Sequence, residues 1–294
     1  MTHLAPTALH RLDRFGTLTV AGPEARAYLQ GQLSFDLDRL GRERIELATC
    51  NSPQGRVQAV IWLIERSDGI VLLLPSSMLE RTLARLRKYI LRAKVQIDAG
   101  TDRFLVCGAY ESLGLEPRGH READGRSVIQ WPGQRHGQER DNVARVLCIA
   151  ESTADVRIDP VFENEWRRAD ITAGLPQVYP QTHEAFVAQM LNVDLLGGIG
   201  FEKGCYTGQE IIARTHYRGA IKRRMFRFRA NGAPPEPGTR IVIGDHHAGD
   251  VVDAVATSYG CELLAVVALS QIEAPLEIDS TREKLERLGL PYAV

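Results

Sequence analysis

Apolar and polar residues alternate along Thr17-Leu18-Thr19-Val20, the period of a half-buried strand. Gly22-Pro23 then opens a predicted helix over residues 24–33, with proline suited to the first turn. Residues 56–65 and 70–74 read as two strands, and Ser67-Asp68-Gly69 between them is hairpin chemistry. Ser76 or Ser77 can cap the next helix, where Leu79, Leu83, Leu86 and Ile90 form a stripe at helical spacing. Short strands are predicted over residues 94–98, 103–108, 127–131 and 145–149. The polar stretch 116–126 reads as a loop.

A second block starts near Asp159-Pro160. Residues 161–170 are predicted to be helical, and Ala173-Gly174-Leu175-Pro176 ends that helix. The sequence to about residue 180 then lacks a clear period. After a strand-like 225–230, Asn231-Gly232-Ala233-Pro234-Pro235-Glu236-Pro237-Gly238 is the best loop or linker boundary. Residues 239–243, 250–256 and 262–268 are apolar or β-branched, and their spacing predicts a small C-terminal β-barrel. His246-His247 reads as a turn within it. Residues 284–290 fit helix or strand equally. The fold class is α+β, with no low-complexity tract and no internal repeat.

Composition narrows the function classes. A chain of 294 residues can bury a large core, and a net charge of -1 argues against a generic polyanion binder. Cysteines stand at 50, 107, 148, 205 and 261, with no CxxC pair, so zinc-site and cluster-ligand spacings are missing. The odd count and wide spacing fit reduced thiols in the cytoplasm. Met1-Thr2-His3-Leu4-Ala5-Pro6 has the character of no signal peptide, and the apolar runs 70–74 and 263–269 are too short to span a bilayer. Neither a membrane nor a stable metal is expected.

The chemistry concentrates in Phe201-Glu202-Lys203-Gly204-Cys205-Tyr206-Thr207-Gly208-Gln209-Glu210. Two glycines around a lone cysteine predict a shaped turn that presents the thiol. Lys203, two residues away, can favour the thiolate. On this chemistry alone a bland turn with a buried cysteine stays open. From Lys203 to Arg229 there are eight Lys or Arg residues and one acid, Glu210, with Lys222-Arg223-Arg224 the densest part. Such a band can attract a polycarboxylate tail, a phosphate or RNA, or can be a solvated strand face.

These residues, with Phe186-Val187-Ala188-Gln189-Met190-Leu191-Asn192, Gly197-Gly198-Ile199-Gly200-Phe201 and Arg218-Gly219, resemble the signature of YgfZ-type proteins. Those are folate-binding relatives of the aminomethyltransferase (T-protein) of the glycine cleavage system. Tyr28-Leu29-Gln30-Gly31-Gln32-Leu33, Gly55-Arg56-Val57 and the run Trp166-Arg167-Arg168-Ala169-Asp170-Ile171-Thr172-Ala173-Gly174-Leu175-Pro176 extend the resemblance over nearly the whole chain. It is weakest over residues 113–138 and at the C-terminus. Ala188 and Gln54 stand where the family usually has proline and lysine.

The resemblance implies a T-protein-like, multi-part fold around a central cavity for tetrahydrofolate or another reduced folate. Residues 1–224 would form the folate-binding region, as two interleaved α+β subdomains, and 225–294 the β-barrel. It implies support of iron–sulfur enzymes or assembly proteins, including radical enzymes that modify tRNA, through transient contacts rather than ordinary turnover. Cys205 would be the reactive group, with Lys203 stabilising its thiolate or an anion. A single cysteine cannot build a four-thiolate cluster cage, so any cluster is shared or completed by a partner.

For the folate, Trp166 offers a flat face and Phe15 a second aromatic, Gln189 and Asn192 offer hydrogen bonds to a pterin edge, and Arg214 and Arg218 offer forks for carboxylates. A plain core tryptophan remains open for Trp166. Gly204, Tyr206, Gly208, Gln209 and Glu210 complete the cysteine motif, with structural roles equally open. The other four cysteines and His246-His247 read as core and turn. Two further function classes stand beside this one. A folate-dependent one-carbon transferase lacks the cysteine string in its own family. An RNA-binding module has only 6% aromatics to stack bases on.

Overall fold

The computed structural model describes residues 8–101, 103–136, 142–152, 154 and 156–294, so the 1–6 stretch read for a signal lies outside the described residues. Apolar runs bounded by turn residues fold the first third around one antiparallel sheet. In chain order come β1 (His10–Arg11), β2 (Phe15–Ala21), α1 (Ala25–Gln32), β3 (Glu46–Asn51), β4 (Val57–Arg66), β5 (Gly69–Pro75), α2 (Leu79–Lys88) and β6 (Gln96–Ala99). The sheet order is β3-β4-β5-β2-β6. The hairpin at Ser67-Asp68-Gly69 sets Arg66 opposite Gly69. Ser76 and Ser77 do not cap α2. They form a short 3-10 turn, Ser76–Met78, that feeds the helix without a side-chain cap.

The second sheet contains β7 (Phe104–Tyr110), β8 (His120–Ala123), β9 (Arg126–His136) and β10 (Asn142–Glu151), in the order β1-β7-β10-β9-β8. β8 corrects the loop expected over 116–126. It is an edge strand, pairing His120 with Ile129 through Ala123 with Arg126. The backbone ladder needs no apolar face there, so a polar sequence hid the strand.

α3 (Pro160–Thr172) starts where Asp159 accepts from the N–H groups of Val161 and Phe162 at 2.9 and 3.3 Å, with proline in the first turn. A long segment of turns then leads to α4 (Gln209–Tyr217), a helix the apolar pattern did not announce. The last sheet is a curled half-barrel of β11 (Arg223–Ala230), β12 (Arg240–Ile243), β13 (His246–Thr257), β14 (Gly260–Ala268), β15 (Glu277–Ile278) and β16 (Glu286–Leu288), in the order β15-β12-β13-β14-β11-β16. His246 and His247 are the first residues of β13 rather than the turn, which lies at Gly244-Asp245. The ambiguous 284–290 stretch supplies the short edge strand β16.

One core joins the three sheets. Trp62 and Leu72 from the first, Trp131 and Ile149 from the second, Trp166 from α3, and Val252 and Leu264 from the half-barrel belong to the same buried cluster. A charged lattice reinforces it. Asp170 on α3 accepts from Arg145 at 2.9 Å and Arg14 at 3.1 Å, while Asp253 on β13 accepts from Arg14 at 3.2 Å, Tyr179 at 2.9 Å and Arg167 at 2.5 Å. Both carboxylates are 1% exposed, so each arginine is compensating a buried charge. The Trp166-Arg167-Arg168-Ala169-Asp170 run is therefore chiefly the joint between α3, the second sheet and the half-barrel. Among the described residues, no helix is long and apolar enough to cross a membrane.

Candidate functional site

The cysteine loop is built on a close approach of two turns. Gly208 has φ 83° and precedes α4; a Cβ there would lie 2.5 Å from the Ser52 carbonyl and 3.0 Å from the Gly55 Cα. Gly55 has φ 71°, and its own Cβ would lie 2.8 Å from Ile211. Glycine at both positions lets the 52–55 turn lie against the start of α4. Tyr206 is buried, and burial pushes its hydroxyl upward. Gln209 donates to the Lys203 carbonyl at 3.4 Å. Glu210 is exposed in the first turn of α4, and Gly204 is exposed with open space around it.

Lys203 takes a different role from the one its sequence position suggested. Its ammonium is buried and donates to the carbonyls of Gln30, Leu33 and Phe35 at 2.7, 2.8 and 2.7 Å. Those carbonyls belong to the C-terminal end of α1 and the turn after it, where orphan acceptors favour a cation. Burial lowers Lys203 to about 8, against the upward pull of Asp36 and Asp38. All three of its protons are committed to that cage, so Lys203 pins the loop to α1 rather than serving the thiolate.

With Lys203 and Tyr206 turned inward, Cys205 is exposed. It is the one exposed thiol among the described residues. Cys50, Cys107, Cys148 and Cys261 are buried, as expected. Burial pushes Cys50 up to about 11, Cys107 to about 12 and Cys148 to about 11. Among the described residues no group of three or more His, Cys, Asp or Glu side chains is placed to hold a metal.

The folate candidates are not brought together. Trp166 is 0% exposed, packed against Gly108 and covered by the Arg145 guanidinium at 4.8 Å, so it has no free face. Phe15 is buried edge-on to Trp131 at 5.9 Å. Gln189 donates to the Ile212 carbonyl at 2.7 Å, and Asn192 donates to the Met225 carbonyl at 2.8 Å; both are buried. Arg214 and Arg218 lie exposed at the end of α4, with Arg214 3.6 Å from Glu210. The basic band is also largely paired. Arg224 grips Asp194 at 2.6 and 2.9 Å, Arg227 holds Glu262, and Arg229 holds Glu286.

A cavity of about 710 Å³ lies where the second sheet, the C-terminal end of α3 and the half-barrel meet. Trp131, Gln130, Thr172, Arg227, Leu290 and Pro291 line it. Trp131 is fixed by donating its indole N–H to Asp170 at 2.9 Å. The sequence carried one signal for this place. Pro132-Gly133 interrupts β9 directly after Trp131, and the β9–β10 register shifts between Ala144 and Arg145 opposite it. Gly133 has φ 79°, and a Cβ there would lie 2.6 Å from Ala173.

The sequence is 33% identical over 313 residues to the tRNA-modifying protein YgfZ of Edwardsiella ictaluri (strain 93-146), covering 98% of this chain and 93% of that protein. The chain belongs to the YgfZ family. The tRNA-modifying protein YgfZ of Enterobacter sp. (strain 638) is 30% identical over 309 residues, covering 98% of this chain and 94% of its own length. No protein-family profile matches the chain. The crystal structure of the glycine cleavage system aminomethyltransferase T from Bartonella henselae superposes with a TM-score of 0.74 at 12% identity, over 97% of this chain and 86% of that one. At that identity the likeness establishes the aminomethyltransferase-like fold alone. A YgfZ-type role on that fold is the functional frame for the cysteine loop and the cavity.

Proposed function

We propose that this YgfZ-family protein is a folate-binding factor that supports iron–sulfur proteins, including radical enzymes that modify tRNA, with Cys205 as its reactive group. The observation that carries this reading is the contrast among the thiols: four are buried with the core, and Cys205 is held outward on a pinned loop. Cys205 acts as one thiolate ligand to a cluster that belongs to a client protein, which supplies the other ligands. The cluster is cargo, so the chain needs no cluster cage of its own.

The cavity fits a reduced folate in size and chemistry. Its volume falls within the usual range of about 300–1,000 Å³ for small-molecule sites. Leu290 and Pro291 offer apolar surface on its lining, and Trp131 reaches it from the core at 1% exposure. Thr172 offers a hydroxyl for a heterocycle edge, while Gln130 already bonds Leu113 and Arg145. Arg227 is the cation lining it, already paired with Glu262, so a glutamate tail would share that arginine rather than meet a free one.

The test is complementation. A bacterial strain lacking its own YgfZ homologue receives the wild-type chain or Cys205→Ser, and thiolated tRNA nucleosides are quantified by mass spectrometry. The expected result is rescue by the wild type and loss with Cys205→Ser, the purified variant melting like the parent. Full rescue by Cys205→Ser overturns the role given to the thiol.

A further inference from the structure

Two sequence runs distant from each other, Ala173-Gly174-Leu175-Pro176 and Gln189-Met190-Leu191-Asn192, converge on Tyr292 near the C-terminal end of the chain. The Tyr292 hydroxyl donates to the Gly174 carbonyl at 2.8 Å and accepts from the Asn192 amide at 3.4 Å. Gly174 has φ 66°, and a Cβ there would lie 2.6 Å from the Tyr292 hydroxyl and 2.8 Å from a Leu290 methyl. Only glycine leaves room for the segment to lie so close at that backbone angle. Asn192, read from sequence as a contact for a pterin edge, spends its amide on the Met225 carbonyl and on Tyr292.

What this latch holds is one wall of the cavity. Gly289, Leu290 and Pro291 line it together with Trp131. Before that wall, the chain is tied to the half-barrel by the three-residue strand β16, which pairs Glu286, Arg287 and Leu288 with β11. Between β16 and Tyr292, the polar tie to the wall is a long 3.4 Å contact from Arg227 to the Gly289 carbonyl. The wall is thus fixed at both ends by hydrogen bonds and held between them by that contact and by the packing of the partly buried Leu290 against the core. Such a segment opens at a fraction of the cost of moving a sheet.

We infer that residues 289–292 are a latched, movable wall of the cavity that governs how its ligand enters and leaves, with Tyr292 as the positioning residue. Leu290 and Pro291 contribute an apolar surface facing the same space as Trp131, which suits a flat heteroaromatic ring. Tyr292 touches no ligand. It acts through Gly174 and Asn192, which hold Leu290 and Pro291 in place. The inference rests on the reading of the cavity as a folate site for its natural ligand, and on the observed contacts for the wall itself.

The experiment compares the wild type, Tyr292→Phe and Tyr292→Ala, all as the full chain. Stopped-flow tryptophan fluorescence follows binding and release of 5-formyltetrahydrofolate. Uptake of the apolar dye 8-anilinonaphthalene-1-sulfonate is measured in parallel. Tyr292→Ala should speed both association and dissociation of the folate by at least tenfold. Tyr292→Phe, which keeps the ring and loses the donor to Gly174, should fall between it and the wild type. Rates unchanged in both variants, with native melting, overturn the inference. If Tyr292→Ala fails to fold, Tyr292→Phe carries the test, since it keeps the packing. If the wild type takes up no folate, the folate reading fails separately. The dye then decides the wall: faster uptake by the variants supports it, and equal uptake overturns it.

Discussion

The cysteine loop and the cavity beside Trp131 are built on opposite principles. In the loop, Lys203 and Tyr206 turn inward and Gln209 bonds locally, leaving Cys205 exposed beside a lysine caged by three carbonyls. In the cavity, the reactive-looking groups are already satisfied: Trp131 by Asp170, Arg227 by Glu262. A dense motif in the sequence thus marks mostly scaffold, raised to present one atom. A cavity leaves almost no motif, because its walls come from two sheets, the end of α3 and a distant stretch of the chain.

The sharpest way to break this comparison is to remove the carboxylate that ties α3 to the second sheet and to Arg14. Asp170→Ala leaves Arg145 without its carboxylate in the interior and Arg14 with Asp253 alone, and should cost about 3–5 kcal/mol in chemical denaturation. It should also free the Trp131 indole and disturb the cavity. A loss below about 1 kcal/mol would show that the lattice is not what joins the parts. Next in size is Lys203→Met, which strips three carbonyls of their donor. The expected loss is about 2–3 kcal/mol, with faster amide exchange over residues 201–208 and little change at Trp131. Equal exchange in the loop would contradict the pin.

Labelling separates the loop from the core without a mutation. At pH 8 a disulfide reagent should titrate one thiol rapidly in the native protein and five in guanidinium. Cys50, Cys107 and Cys148 are both inaccessible and held protonated by burial. The sign is fixed: their raised values keep them neutral until far above pH 8. Two or more fast thiols would place a second cysteine at the surface. The smallest effect is expected at the half-barrel surface, where Arg229→Ala removes an exposed pair with Glu286 and should change stability by under about 1 kcal/mol.

Much of the fold was legible because local signals agreed with the final packing. Asp159-Pro160 and Gly174 bracket α3, and Ser67-Asp68-Gly69 turns β4 into β5. The apolar settings of Cys50, Cys107, Cys148 and Cys261 pointed to the core. What stayed hidden was tertiary. β8 is polar because an edge strand needs only its ladder, and α4 is short and follows a glycine turn. Trp131 and Trp166 look alike in sequence, each on an apolar element. Only the packing of Arg145 over Trp166, and the bulge at Pro132-Gly133 beside Trp131, decides which one meets a cavity. Lys203 misled for a related reason. Nearness along the chain suggested the thiol, while the open carbonyls at the end of α1 claimed the charge.

The central claim is that the ligand cavity and the thiol are separate sites on one scaffold. Isothermal titration of 5-formyltetrahydrofolate into the wild type, Trp131→Ala and Cys205→Ser tests it directly. Loss of the Trp131 ring from the lining should weaken binding by about 1–3 kcal/mol, roughly five- to 150-fold, and Cys205→Ser should bind like the wild type. Equal weakening by Cys205→Ser, or unaltered binding by Trp131→Ala, would contradict the account.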